Sequence, residues 1–162
     1  MSETGMIQRR GFVVRIAGLV AVGVTGGRLW AQLPGGTSPT PITVYKSSTC
    51  DCCTKWVDHI RANGFSPVVH DQEEMDALKD EMGVPPDVRS CHTAIVDKYL
   101  IEGHVPASDI RRLLADRPKT LGLAVPGMPP LTPGMAPAGV KPKDFEVISF
   151  QPDGSTKVFA RH

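Results

Sequence analysis

Ile42-Thr43-Val44-Tyr45-Lys46-Ser47-Ser48-Thr49-Cys50-Asp51-Cys52-Cys53-Thr54-Lys55-Trp56-Val57-Asp58-His59-Ile60 is the stretch whose reading decides the fold. Its first four residues are β-branched or aromatic and predict a short strand. A polar turn and a cysteine cluster follow, and then Trp56, Val57, Ile60 and Ala62 recur at near-helical spacing. Asn63-Gly64 suits a left-handed C-terminal cap for that helix.

Working outward, Pro67-Val68-Val69-His70 predicts a second strand, with Asp71 as a cap for a helix over residues 73–82. Met75, Leu78 and Met82 share one face of it and read as core. Gly83-Val84-Pro85-Pro86 stops the helix, and a loop leads to Cys91-His92. Residues 93–96 and 99–102 predict a hairpin around Asp97-Lys98, and a last helix runs from Ala107 or Ser108 to Asp116 with Ile110, Leu113 and Leu114 inward. The order β, α, β, α, β, β, α, with cysteines between the first strand and first helix, is that of the minimal thioredoxin-like fold, a mixed α/β class. A right-handed first crossover places the cysteine loop at the carboxyl edge of the sheet.

Past Pro118 the composition changes. Residues 122–142 hold six Pro, four Gly and two Met in 21 positions, which predicts an irregular strap that is neither helix nor central strand. Residues 145–150 and 156–160, joined by Pro152-Asp153-Gly154, predict a terminal β-hairpin.

Gln8-Arg9-Arg10-Gly11-Phe12, an uncharged run over residues 16–27, and Leu29-Trp30-Ala31 make up the parts of an export signal with a twin-arginine character. The apolar run, bracketed by Arg15 and Arg28, is far short of the roughly 20 residues that span a bilayer. The expected organisation is an export signal over 1–31, a Pro/Gly/Ser/Thr linker over 32–41, a thioredoxin-like domain over 42–117 and a strap-and-hairpin extension over 118–162. The 162 residues suffice for one modest core. With 18 basic against 17 acidic residues, the chain is no strongly basic nucleic-acid binder. Beyond residue 31 the balance is 14 basic to 16 acidic, so the exported part is mildly acidic.

Four cysteines in an oxidising compartment suggest two disulfides, but the spacing argues against two ordinary bridges. Cys50, Cys52 and Cys53 crowd together, and only Cys91 lies elsewhere. Cys52 with Cys53, or Cys50 with Cys52, closes a strained ring; Cys50 with Cys53 is the one local pairing of tolerable geometry. Cys50 and Cys53 also form C-x-x-C at a helix start, where unpaired N–H groups and the helix dipole favour thiolate, and hence thiol exchange or metal binding. Cys52 adds a soft donor within that motif, and Cys91-His92 adds more from the loop that faces it in a thioredoxin-like arrangement. Converging sulfurs select Cu(I), zinc or an iron–sulfur cluster over hard cations. A structural zinc site built on Cys50, Cys52 or Cys53, Cys91 and His92 stays open, though the chain lacks two separated C-x-x-C knuckles. A metal-free thiol–disulfide oxidoreductase stays open as well. No acid–base pair, Gly-rich phosphate loop or Ser/His/Asp set argues for hydrolysis or phosphoryl transfer.

Cys50-Asp51-Cys52-Cys53, Ser90-Cys91-His92-Thr93-Ala94, Glu102-Gly103-His104-Val105-Pro106 and the strap from Gly122 through Met128 to Pro133-Gly134-Met135 resemble the CopG-type periplasmic copper-resistance proteins, also catalogued as a domain of unknown function. The resemblance covers about residues 42–160. It implies a thioredoxin-like fold that binds copper through Cys50, Cys52, Cys53 and Cys91, with a redox role in copper tolerance. The chain departs from the family at Pro130-Leu131-Thr132, where a Gly-Ser pair is more usual.

The expected function is a periplasmic copper-binding protein with a multinuclear cysteine-thiolate site. Cys50 and Cys53 are the pair that exchanges electrons, and copper ions, with a periplasmic redox partner or copper chaperone, are the partners. A non-enzymatic copper store or chaperone is an alternative. His92, His104, Met128 and Met135 are the further candidate ligands. Strand alternation argues that His92 points away from Cys91, and Met128 and Met135 serve equally well as packing. His59, His70 and His162 read as solvated.

Overall fold

A computed structural model of the chain describes residues 38–162. The export signal and most of the linker lie outside the described residues. Strand β1 (Thr40–Lys46) begins two residues before the expected position, taking in Thr40 and Pro41. It runs into helix α1 (Asp51–Ala62), strand β2 (Phe65–Asp71) and helix α2 (Met75–Glu81). A 3-10 turn (Pro86–Val88), strands β3 (His92–Val96) and β4 (Tyr99–Glu102) and helix α3 (Ala107–Asp116) follow, then β5 (Gly122–Ala124), β6 (Glu146–Phe150) and β7 (Thr156–Arg161). Asp71 is the last residue of β2 rather than a cap, and Glu74 precedes α2. Gly64, at φ 84°, takes the left-handed position after α1.

Among the described residues, the seven strands form one sheet in the order β2-β1-β3-β4-β5-β6-β7. β1 pairs parallel with β2 and antiparallel with β3; β3 pairs antiparallel with β4, and β4 parallel with β5. β6 and β7 continue it as the expected antiparallel hairpin. The start of the strap is therefore a central strand, contrary to the compositional expectation. Gly122 resolves the conflict: a Cβ there would collide with the carbonyl of Leu100, so only glycine lets β5 pair with β4. The prolines begin only at Pro126, after the strand ends.

Alternation along the strands divides the core between the two faces. Ile42, Val44, Ala94, Val96, Ile101, Leu123 and Val147 pack with Trp56, Val57 and Ile60 of α1 and Ile110 and Leu113 of α3. On the other face Leu100, Ala124 and Phe150 meet Val84 and Val88, with Met82 alongside. Met75, Leu78 and Met82 are only partly buried, while Lys79 of the same helix is fully buried.

Candidate metal centre

β1 ends in a turn that delivers Cys50 to the position preceding α1, with no side chain capping that helix. Its first N–H groups are therefore left free at the cysteines, and the helix dipole favours anionic sulfur there. Cys50 and Cys53 form a disulfide, the one local pairing that spacing allows, and Cys52 and Cys91 are free thiols. Cys52 Sγ is 3.5 Å from Cys50 Sγ, and Cys53, fully buried, has Sγ 3.9 Å from the carbonyl oxygen of Cys91. All four sulfurs lie within 4.8 Å of one another.

Cys91 arrives immediately before β3, the strand next to β1. Its Sγ is 3.3 Å from His92 Nδ1 and 3.1 Å from His104 Nε2, so Cys91, His92 and His104 form a second cluster that shares one sulfur with the first. The expectation that His92 points away fails because Cys91 sits in the bend before the strand, where alternation does not apply. Burial, then the charge of Cys52, pushes the Cys91 thiol up to about 12.

Both imidazoles are held below their ordinary range. Burial does most of this at His92, with His104, Lys79 and Lys46 adding to it, and burial does it at His104. His92 packs against the Trp56 ring at 4.3 Å, and its Nε2 is buried without a hydrogen-bond partner. Trp56 is fixed in turn by its indole N–H, which donates to the Val105 carbonyl at 2.9 Å. A buried neutral imidazole with an unpaired nitrogen, beside thiols, suits a soft or borderline metal ion. The two clusters contain sulfur and imidazole only.

The strap closes over this rim. Gly127 N–H donates to the Arg89 carbonyl at 3.1 Å, and Ser90 Oγ donates to the Gly127 carbonyl. His104 Nδ1 is 2.7 Å from the Pro133 carbonyl oxygen. Gly134, at φ 85°, lies so close to α1 that a Cβ would come within 2.7 Å of the Trp56 nitrogen and 3.1 Å of the Cys52 carbonyl oxygen. Thr132, at the departure from the family pattern, is buried and donates its hydroxyl to the Pro129 carbonyl at 2.9 Å. Of the two candidate methionines, Met135 follows Gly134 and is half-buried, whereas Met128 follows Gly127 and is 57% exposed.

Of the remaining histidines, His59 departs from the solvated expectation, while His162 and His70 are exposed. His59 is half-buried and its Nε2 accepts a hydrogen bond from the Ala107 N–H at 3.2 Å, serving the otherwise uncapped start of α3. His162 Nε2 is 2.7 Å from Asp109 Oδ2, and its ring stacks on Phe145, so it is tethered. His70 is exposed and stacks on Tyr45.

Sequence reasoning missed the buried pair Lys79 and Glu102, which flanks Ser90 and Thr93 on either side of the Cys91-His92 dipeptide. The available signal was a charged residue closing the apolar run Tyr99-Leu100-Ile101, and the lone base within a helix rich in acids.

Residues 88–135 match the family described as "Protein of unknown function, DUF411". No curated protein matches the chain by sequence. Two solved structures, named as copper resistance protein CopG in Form 1 and Form 2, are each 40% identical to it with a TM-score of 0.70. The match covers 76% of this chain and 98% of each of theirs. With the cysteine cluster, the paired histidines and the strap all in place, that identity over nearly the full length of its relatives makes this chain a member of the CopG-type copper-resistance family.

Proposed function

We propose that the chain is an exported periplasmic copper-binding protein in which Cys50, Cys52, Cys53 and Cys91 hold copper in a multinuclear site. His92 and His104, and Met135 and Met128 from the strap, complete the donor set. The observation that carries this reading is the convergence of four sulfurs within 4.8 Å, with a second cluster sharing Cys91. A thiolate that belongs to both clusters is suited to bridge two ions. The order β2-β1-β3-β4, with β1 and β2 parallel, supports a thioredoxin-like reading of the first half. Residues 1–31 supply the export signal.

The disulfide supports a redox role. Oxidised, the rim offers two thiols; reduced, it offers four. In the proposed step two Cu(II) ions, the substrate, each accept one electron from the reduced Cys50–Cys53 pair. The two S–H bonds break, one S–S bond forms, two Cu(I) ions result and two protons go to solvent. A periplasmic thiol reductant restores the dithiol.

The test is anaerobic. Fully reduced protein is loaded with Cu(I) and its metal content and free thiols are counted; more than one copper per chain with four thiols blocked is the expected result. Mixing reduced protein with Cu(II) then yields two Cu(I) per disulfide formed. Copper bound without turnover reassigns the chain as a store or chaperone.

A second reading rests on the same disulfide, since a C-x-x-C bridge at a helix start is also the working part of a thiol–disulfide oxidoreductase. Disulfide exchange on protein thiols by the metal-free protein, undiminished in Cys91→Ser, is the result that favours it.

A further inference from the structure

Beneath the Cys91-His92 dipeptide lies a charged network that neither cluster includes. Glu102, at the end of β4, is fully buried, and Lys79 of α2 is 2% exposed. Lys79 Nζ donates to the Ser90 carbonyl at 3.0 Å, to Thr93 Oγ1 at 3.1 Å and to Glu102 Oε1. An ammonium has three protons, and all three are placed. The Glu102 carboxylate accepts from the Ser90 N–H at 2.6 Å and from the Thr93 hydroxyl at 2.6 Å. Every polar group of the network is therefore satisfied.

Both backbone groups of Ser90 and the hydroxyl of Thr93 are held by this one ion pair. The residues between them are Cys91 and His92. A buried ion pair is weak evidence of net stabilisation, because desolvation offsets most of the Coulomb gain. Its geometry, by contrast, is well defined: fixed donors and acceptors in a low-dielectric interior permit one arrangement of the chain they grip. An arm carrying two donors to a cluster whose other sulfurs stand on α1 is where such definition has a use.

We propose that Lys79 and Glu102 are positioning residues that clamp the Cys91-His92 arm against the α1 cysteines. They set copper affinity through that arm without touching the metal. This rests on the copper-binding reading given above.

The test uses reduced, folded protein and Cu(I) alone, with affinity read by competition against a chromophoric chelator. The double variant Lys79→Met with Glu102→Gln removes both charges at similar volume and leaves neither ion unpaired. Its expected effect is a loss of about tenfold or more in Cu(I) affinity, the range found when partners that orient metal ligands are removed. Thr93→Val is the milder variant, with a smaller loss in the same direction, and it decides the matter if the double variant does not fold. A double-mutant cycle with Cys91→Ser separates positioning from general destabilisation. The clamp variants cost less in the Cys91→Ser background if they act through the arm, and cost the same in both if they do not. Equal costs, or wild-type affinity in a folded clamp variant, overturn the clamp. Absence of Cu(I) binding by the reduced wild-type protein overturns the copper-binding reading instead.

Discussion

His104 Nδ1 lies 2.7 Å from the carbonyl oxygen of Pro133. A carbonyl only accepts, so the neutral ring carries its proton on Nδ1 and turns the Nε2 lone pair toward Cys91 Sγ, 3.1 Å away. The strap thus selects the tautomer whose Nε2 lone pair is free to accept a metal ion. Ligating histidines are commonly oriented in this way by a carbonyl or carboxylate behind them.

Removing that nitrogen while keeping a ring is the corresponding test. His104→Phe is expected to lower Cu(I) affinity about tenfold while leaving the Cys50–Cys53 bridge and its reduction unchanged. Affinity equal to wild type in chelator competition counts against His104 as a donor.

The Cys91 thiol is expected to be slow to react. Thiolate is the reactive form, and the Cys91 thiol, pushed up to about 12, stays protonated at pH 8. In the oxidised, metal-free protein iodoacetamide is expected to label Cys91 at least tenfold more slowly than free cysteine, by an order-of-magnitude argument from thiolate fraction. Peptide mapping over a time course reads the ratio. Labelling at the rate of free cysteine shows that Cys91 is not held in its half-buried position.

Gly134 combines a positive φ with contact against the first turn of α1. Gly134→Ala therefore meets both backbone strain and a clash, with an expected loss of about 1–3 kcal/mol in urea unfolding. Gly139, also at positive φ but with open space around its Cβ position, is the control for strain without the clash. If the two alanine variants are equally stable, the strap does not press on α1.

The pH dependence of stability follows from His59. Burial, then Arg111 and His104, lower its pKa, so the folded protein favours the neutral ring that accepts the Ala107 N–H. Unfolded, the ring titrates near pH 6.5. As pH falls below about 6.5, the unfolded chain binds a proton that the folded chain resists, and stability drops until the lowered folded value is passed. Above that window the contribution is constant. His92 and His104 are shifted in the same direction, so the metal-free protein is expected to lose stability between pH 7 and 5. Urea midpoints across that range should fall less steeply in His59→Gln; parallel curves assign the whole effect to the other two rings.

The order of elements from β1 to α3 was legible because each carries a local signal: β-branched residues in β1, an apolar stripe in α1, a two-residue turn between β3 and β4. The cysteine site was legible because C-x-C-C spacing constrains which sulfurs are able to meet. What escaped depends on contacts between distant segments. The three residues of β5 have no strand signature, since their place is secured by the missing side chain of Gly122 beside Leu100. Lys79 falls one turn after Met75, beside the apolar face, but its charge reads as solvated, and only Glu102, 23 residues away, makes its burial tolerable. His59 and His162 looked idle because their partners, Ala107 and Asp109, lie 48 and 53 positions off.

The parallel pairing of β4 with β5 makes the terminal hairpin part of the same hydrogen-bonded sheet as the cysteine rim. Ligand that binds only the folded state stabilises whatever unfolds together with its site. Amide protons of β6 and β7, which contribute none of the candidate ligands, thereby become reporters of events at the rim. Their exchange with deuterated solvent slows when the cysteines are loaded, to the extent that the seven strands open as one unit.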